Sequence, residues 1–354
     1  MKIAIAGGGI AGGYLARLLL GKGVETDIYD PVSHATSCGY RSCGWGAPAG
    51  IGTYLRPIGL NLDDYLLEPM PSMNFDGLQA TTPLCTLDKP RLIRDLLDGC
   101  SVLQRKIGDT GREDYNVIVD ATGIDRAFLP PCISDLTLPT LQHRVVVGSS
   151  GTDRLSPGVY GNRVPGLGYV WVFPLGEDQY HIGIGGIGLT SQESLLDRFF
   201  EDHSGRFSFT TVCTCKGSVR VASPFYSAPF VTKTTMDNEK EQVIVGVGES
   251  IGTVSPFTGE GIVFSMECAA MLSDRWPDFN GYSRSVIRRF SWMKKERETL
   301  DYLLEQKGRS GPRLRDRWRF YRNARRSGIG LPMIDAFRRI GTLSRWVETG
   351  TREP

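Results

Sequence analysis

Three stretches of the chain are apolar without interruption, and each runs into a cluster of small residues. Residues 2–6 predict a buried strand that passes into Gly7-Gly8-Gly9-Ile10-Ala11-Gly12-Gly13. An apolar helix is expected over 14–20 and a second strand over 24–29, with Asp30 at its end. Residues 115–119 predict another buried strand, closed by Asp120-Ala121-Thr122-Gly123. Residues 243–249 repeat the arrangement: a buried strand, a turn rich in glycine from Ser250 to Gly261, then an apolar helix over 262–272. Unbroken apolar strands of this length suit a parallel sheet covered on both faces.

Between 143 and 228 the pattern changes to alternation, as in 144–147, 169–173, 180–184 and 217–221, with one helix expected over 191–200. That predicts an antiparallel sheet with one face open to a ligand. Residues 31–59 read as mostly loop, 62–67 and 73–78 as short strand pieces, and 84–90 as a strand ending at a proline. A helix over 91–97 and a strand over 101–107 follow. The fold class is therefore α/β: a Rossmann-like dinucleotide domain (1–60, 80–125 and 240–275) interleaved with an antiparallel-sheet substrate domain (61–79 and 126–239). A basic helical C-terminal region covers 276–354.

Composition adds two points. With 354 residues, 40% of them apolar and 23% charged, the chain has material for two lobes. The net charge of +2 hides an asymmetry: residues 277–354 hold 19 Lys and Arg against 9 Asp and Glu. Arg-rich helices are expected over 282–306 and 312–326, with a third opening at Pro332. They could cap the lobes, rest peripherally on an anionic membrane surface, or bind nucleic acid; no recognisable nucleic-acid module supports the last. The first strand starts at residue 2 and no apolar run reaches membrane-spanning length, so a cytoplasmic protein with mostly reduced cysteines is expected. The eight cysteines show no paired zinc spacing, so no metal site is expected, and Cys213 and Cys215 read as core packing on one strand face.

The segment from Gly7 to Asp30 has the strand–GxGxxG–helix–strand–acid layout of a dinucleotide site, with the acid 18 residues past Gly12. Gly7 permits the tight turn, Gly9 lets backbone approach a pyrophosphate, and Gly12 lets helix and strand pack closely. Ile10 and Ala11, within this glycine segment, are further candidate cofactor contacts, and the helix N-terminus offers unpaired N–H groups and a positive dipole end to the phosphates. Asp30 can accept the ribose hydroxyls. A simple NAD domain leaves the second glycine-rich turn unexplained. A long cofactor with a phosphate end and a distant reactive end, such as flavin adenine dinucleotide (FAD), needs both.

At this point the residues resemble the geranylgeranyl reductase family, FAD-dependent enzymes related in fold to p-hydroxybenzoate hydroxylase. The resemblance covers about residues 1–272. Gly7 to Gly12 with Asp30 resembles the family's adenosine site. Cys43-Gly44-Trp45-Gly46, with Arg41 two places before the cysteine, resembles its Cys-Gly motif. Asp120 to Gly123, with Ala121 between, is similar to its turn beside the flavin. Gly248-Glu249-Ser250 through Pro256, Gly259, Gly261 and Ile262 resembles the motif that holds the ribityl chain and ring. Tyr169-Val170-Trp171-Val172-Phe173-Pro174 is similar to its substrate-lobe motif. Glu249 stands where the family usually has Asp, and Lys89 where it usually has Arg, so a bidentate contact becomes a point charge.

The resemblance implies reduction of isoprenoid double bonds in a lipid or prenyl precursor, with hydride from flavin N5 and a proton from the protein or water. Cys43 is the candidate catalytic residue on the proton side; otherwise it is a small residue against a tight turn. Tyr169, Trp171 and Phe173 share one strand face and either wall a polyprenyl tunnel or fill the core. His181 is a proton carrier by residue type or a structural histidine. A flavin monooxygenase or halogenase on the same scaffold is the competing function. No second GxGxxG with strand and acid is present, so reductant comes from an external donor: transient NAD(P)H, ferredoxin or a deazaflavin.

Overall fold

The computed structural model describes residues 1–31, 43–149, 153–161, 167–189, 191–235, 241–306, 313–326, 328–330, 332–333 and 335. Its strands are β1 (Ile3–Ala6), β2 (Asp27–Tyr29), β3 (Gly46–Pro48), β4 (Leu66–Phe75), β5 (Leu78–Leu87), β6 (Ser101–Leu103) and β7 (Val117–Asp120). They continue as β8 (Thr137–Ser149), β9 (Gly158–Tyr160), β10 (Leu167–Gly176), β11 (Gln179–Ile187), β12 (Phe207–Arg220), β13 (Val231–Thr235) and β14 (Glu241–Gly246). The helices are α1 (Ile10–Leu20), α2 (Gly52–Leu55), α3 (Lys89–Leu97), α4 (Asp109–Arg112), α5 (Gln192–His203), α6 (Ile262–Arg275), α7 (Phe279–Arg289), α8 (Ser291–Gln306) and α9 (Leu314–Arg326).

The apolar runs form one sheet in the order β13-β14-β7-β1-β2-β6. Its central strands are parallel, and only β13 runs against its neighbour. Every residue of β1 and β7 is buried, because α1, α3 and α6 cover the sheet with Tyr14, Leu15, Leu19, Leu96, Met266 and Leu272. The alternating region forms the second sheet, ordered β12-β8-β11-β10-β9-β4-β5-β3. Its pairs are antiparallel apart from β4 with β9, and α5 covers one face with Leu196 and Phe199.

Several expectations shift. The first helix begins at Ile10 rather than 14, directly on the glycine turn. Residues 62–64 form a 3-10 turn, and the two short pieces expected over 62–78 are instead β4 and the start of β5. Here Asn61 caps the turn by accepting the Asp63 N–H. Part of the expected loop before residue 59 is β3 and helical turns. The single helix expected over 282–306 is two, parted at Phe290. Cys213 is disulfide-bonded, and neither it nor Cys215 is fully buried, so the core-packing reading of that pair does not hold.

The described part of the basic tail packs on the lobes. Buried Arg297 on α8 donates to the Ser134 carbonyl and hydroxyl and pairs with Asp301. Arg289 on α7 pairs with Glu267 on α6. Among the described residues no helix is long and apolar enough to cross a membrane. The third helix expected from Pro332 lies mostly outside them.

Two groups fix the ends of the parallel strands. Asp120, fully buried, accepts hydrogen bonds from the N–H of Thr122, Phe128 and Leu129 and from the Thr122 hydroxyl. Its carbonyl takes the Val247 N–H and the Ser250 hydroxyl. Arg126 holds a left-handed φ of 44° and donates to the carbonyls of Pro130, Ser250, Ser227 and Pro229. Arg126→Met would strand those carbonyls without a donor. It is expected to lower the unfolding free energy by roughly 3–5 kcal/mol in urea titrations.

Candidate functional site

One cavity of about 1020 Å³ runs along the carboxyl ends of β1, β7 and β14 and across the open face of the second sheet. That is where open parallel sheets bind ligands, and the volume is at the upper end for such sites. Gly7 turns the chain with φ of 103°, and a Cβ there would lie 2.4 Å from the Ala121 carbonyl oxygen. Gly9 is the N-cap of α1; it caps with no side chain, and among the described residues nothing lies within 4 Å of where its Cβ would be. The N-terminus of α1 therefore opens into the cavity, lined here by Gly7, Gly9, Ile10 and Ala11. Asp30, at the end of β2, lines the same part and accepts the Gly8 N–H at 2.9 Å. Ala121 and Gly123 line it from β7.

A second uncapped helix faces the same space. Gly261 is the N-cap of α6 and likewise offers no side-chain cap. Pro256, Gly259, Gly261 and Ile262 line the cavity, and Glu249 lines it from the turn after β14. One Glu249 oxygen accepts the Arg220 N–H at 2.9 Å. Two loops distant in the chain thus bring two helix N-termini, each with unpaired N–H groups and a positive dipole end, to one void.

Two expected contacts fall elsewhere. Ser250 is fully buried, and its hydroxyl is spent on the carbonyls of Asp120 and Val247, so it fixes the turn and does not reach the cavity. Gly12 is absent from the wall as well. A Cβ on it would lie 1.9 Å from the Gly7 carbonyl, so its part is to let α1 close on the β1 turn. Arg41 lies outside the described residues.

The Cys-Gly segment and the aromatic strand interlock. Tyr169, Trp171 and Phe173 of β10 all line the cavity, together with Cys43, Gly44 and Lys89. A Cβ on Gly44 would meet the Phe173 ring at 2.6 Å, and one on Gly46 at 2.8 Å. Gly183 of β11 makes room for Trp171, whose ring would lie 2.3 Å from a Cβ there. The Trp171 indole N–H donates to Gln142 at 3.2 Å, and the Tyr169 hydroxyl to the Thr258 carbonyl at 2.5 Å. Burial pushes Tyr169 up to about 12, so it stays a neutral donor. The Lys89 ammonium lies 3.3 Å from the Cys43 sulfur.

His181 is a core residue. It is fully buried against Trp45, ring centroids 4.5 Å apart, and among the described residues neither ring nitrogen has a hydrogen-bond partner of normal geometry. Burial, then the Arg144 charge, pushes it down to about 3, so at ordinary pH it is the neutral imidazole with a single ring N–H. Trp45 itself sits at φ of 60°, an unfavourable left-handed conformation for a bulky residue. Its ring is held by His181 on one side and by the Arg144 guanidinium, 5.9 Å from its centroid, on another.

Sequence reasoning did not assign the far wall. Trp292, Glu296, Leu300 and Leu303 of α8 line the cavity, as does Asn323 of α9. Glu260 lines it too, between Gly259 and Gly261. Burial, then the neighbouring Glu296, pushes Glu260 up to about 7. The Gly-Glu-Gly sequence was a signal for a polar group at the turn. Nothing in the mixed-charge pattern of α8 marks Glu296.

No protein-family model matches the chain. It is 21% identical over 350 residues to an uncharacterized protein of Methanocaldococcus jannaschii, covering 85% of this chain and 91% of that one. It is 31% identical over 119 residues to digeranylgeranylglycerophospholipid reductase 2 of Methanothermobacter thermautotrophicus, 32% of this chain and 27% of the relative. The aligned segments span between 25% and 50% of the curated reductases of that kind. Among solved structures, a geranylgeranyl bacteriochlorophyll reductase-like protein from Thermoplasma acidophilum matches with a TM-score of 0.64 at 20% identity, over 86% of this chain and 90% of that one. The flavin-dependent halogenase CmlS matches with a TM-score of 0.55 at 15% identity, over 86% and 62%. The fold is that of FAD-dependent oxidoreductases, and the curated relatives support the geranylgeranyl reductase-like family that the motifs resemble.

The Phe173 interlock is testable. Gly44→Ala is expected to cost roughly 1–3 kcal/mol through overpacking. Paired with Phe173→Ala it is expected to cost less than the sum, with a coupling of about 1 kcal/mol or more in a denaturation cycle.

Proposed function

We infer that this geranylgeranyl reductase-like chain is an FAD-dependent reductase that saturates isoprenoid double bonds in a lipid or prenyl precursor. The observation that carries the reading is the pair of uncapped glycine N-termini, Gly9 on α1 and Gly261 on α6, opening into one cavity. The residues present fit FAD: among the described residues no atom crowds the space beside Gly9, and Gly7, which lines the cavity, holds a left-handed turn that places backbone, not a side chain, against it. Gly7 to Ala11 and Asp30 would hold the adenosine diphosphate half; Ala121, Gly123, Glu249 and residues 256–262 would hold the flavin half.

When bound, the flavin supplies hydride. The chain's own residues do the rest. An isolated alkene has no carbonyl to take up charge, so orientation and dryness matter. Trp171, Phe173, Leu300 and Leu303 give apolar walls suited to a polyprenyl chain. Their aromatic positions are fixed by the Gly44, Gly46 and Gly183 clearances, so they form a rigid wall. Cys43 and Lys89 stand on the same wall as Phe173. Halogenase and monooxygenase neighbours share the fold, and oxygen consumption separates those chemistries from this one.

Purified protein is expected to be yellow, or to become so on incubation with FAD, with the cofactor identified by mass. Under anaerobic conditions with dithionite, a lipid bearing geranylgeranyl chains is expected to gain one H2 per bond reduced. A colourless protein that stays colourless with FAD overturns the reading. Cys43→Ser and Cys43→Ala, scored separately for flavin content and turnover, test that residue; full turnover by both removes it from the mechanism.

A further inference from the structure

The cavity holds two carboxyl side chains from different elements, Glu260 on the glycine turn before α6 and Glu296 on α8. Their surroundings differ. Glu296 is 3% exposed and held by donors: the Ser255 hydroxyl at 2.9 Å on one oxygen and the Asn323 amide at 2.9 Å on the other. Those donors favour its charged form. The Glu260 backbone is engaged, its N–H to the Thr258 hydroxyl and its carbonyl to the Ser255 N–H. Its carboxyl, however, has no hydrogen-bond or ion-pair partner among the described residues, in a cavity whose nearby walls are Leu300, Val254 and Trp292. Two carboxylates that act on one another in a shared apolar space do not both ionise readily. Glu296 has the stabilising donors, so the proton resides on Glu260.

The other titratable groups on the surrounding elements do not take that place. Tyr169 on β10 is a neutral donor to the Thr258 carbonyl. Tyr321 on α9 is a phenol, and Arg297 on α8 is turned to Ser134 and Asp301. Across the cavity the Cys43 sulfur lies against the Lys89 ammonium.

We propose that Glu260 is the catalytic acid of the alkene reduction, and that Glu296 positions its proton. The proposal rests on the function inferred above. The step balances. The alkene π bond breaks as reduced flavin delivers hydride to one carbon, and the Glu260 carboxylic acid gives its proton to the other. Two C–H bonds form, the flavin is left oxidised, and the Glu260 carboxylate recovers its proton from water. The turn that carries Glu260 lines the part of the cavity whose residues would hold the flavin half of the cofactor.

Two measurements test it on the full chain. First, carboxyl resonances of 13C-glutamate-labelled protein are followed with pH. One carboxyl is expected to titrate near 7 and to be missing in Glu260→Gln. A Glu260 that titrates in the ordinary carboxylate range overturns the proposal, whatever the substrate. Second, turnover of a phospholipid bearing geranylgeranyl chains is measured with dithionite in detergent micelles. Wild-type kcat is expected to fall as pH rises through about 7, because the acid form is lost. Glu260→Gln is expected to lower kcat ~100-fold or more with FAD binding and KM little changed, and Glu260→Asp to restore part of it. Glu296→Gln is expected to lower the Glu260 titration toward the ordinary range. Wild type that turns over while Glu260→Gln matches it with the same pH profile removes this assignment alone. A flavin-loaded wild type inert toward the lipid removes both this and the reading on which it stands.

Discussion

The architecture depends on the carboxyl end of β7. Asp120 there is wholly buried and serves as acceptor for four donors of its own turn. Its carbonyl meanwhile ties down the turn after β14. The Ala121 N–H reaches the Ala6 carbonyl on the other side. A single short strand end therefore sets the separation of two glycine turns that the chain reaches about 240 residues apart. A buried carboxylate is costly unless it is fully satisfied, and its satisfaction here doubles as alignment. Arg126 closes the arrangement from behind by gathering four carbonyls that the turns would otherwise leave without donors.

The second constraint is steric. The open face of the antiparallel sheet carries large rings, and small residues surround them: Gly44 and Gly46 beneath Phe173, Gly183 beneath Trp171. The segment after the first βαβ unit is thereby pressed onto the second sheet, with Trp45 held in a conformation it would not adopt alone. α8 and α9 complete the enclosure, contributing both apolar side chains and the Glu296–Ser255–Asn323 contacts. The described basic helices thus form part of the wall.

Much of this was legible in the order of residues. Unbroken apolar strands ending in small residues, at 2–13, 115–123 and 243–261, identified the parallel sheet and both turns, because burial on two faces leaves no room for alternation. Period-two alternation marked the second sheet. What escaped had physical reasons. Ser250 and Gly12 sit inside functional motifs yet serve packing and turn geometry, a distinction that depends on where a hydroxyl or a missing Cβ points. Residues 62–67 carry strand-like leucines at 62, 66 and 67, but Asn61 caps a tight turn over 62–64. Glu296 lay hidden in a helix that reads as amphipathic with charges of both signs, since the face it presents is set by docking and not by periodicity.

The fit of Phe173 over Gly44 and Gly46 bears on how such a chain can change over generations. The two segments lie more than a hundred residues apart, yet neither can drift by itself: a methyl gained on the strap needs volume surrendered on the strand first. Descent through this fold would leave the pair altered together or not at all. Any widening of the cavity on this side would have to begin at the ring.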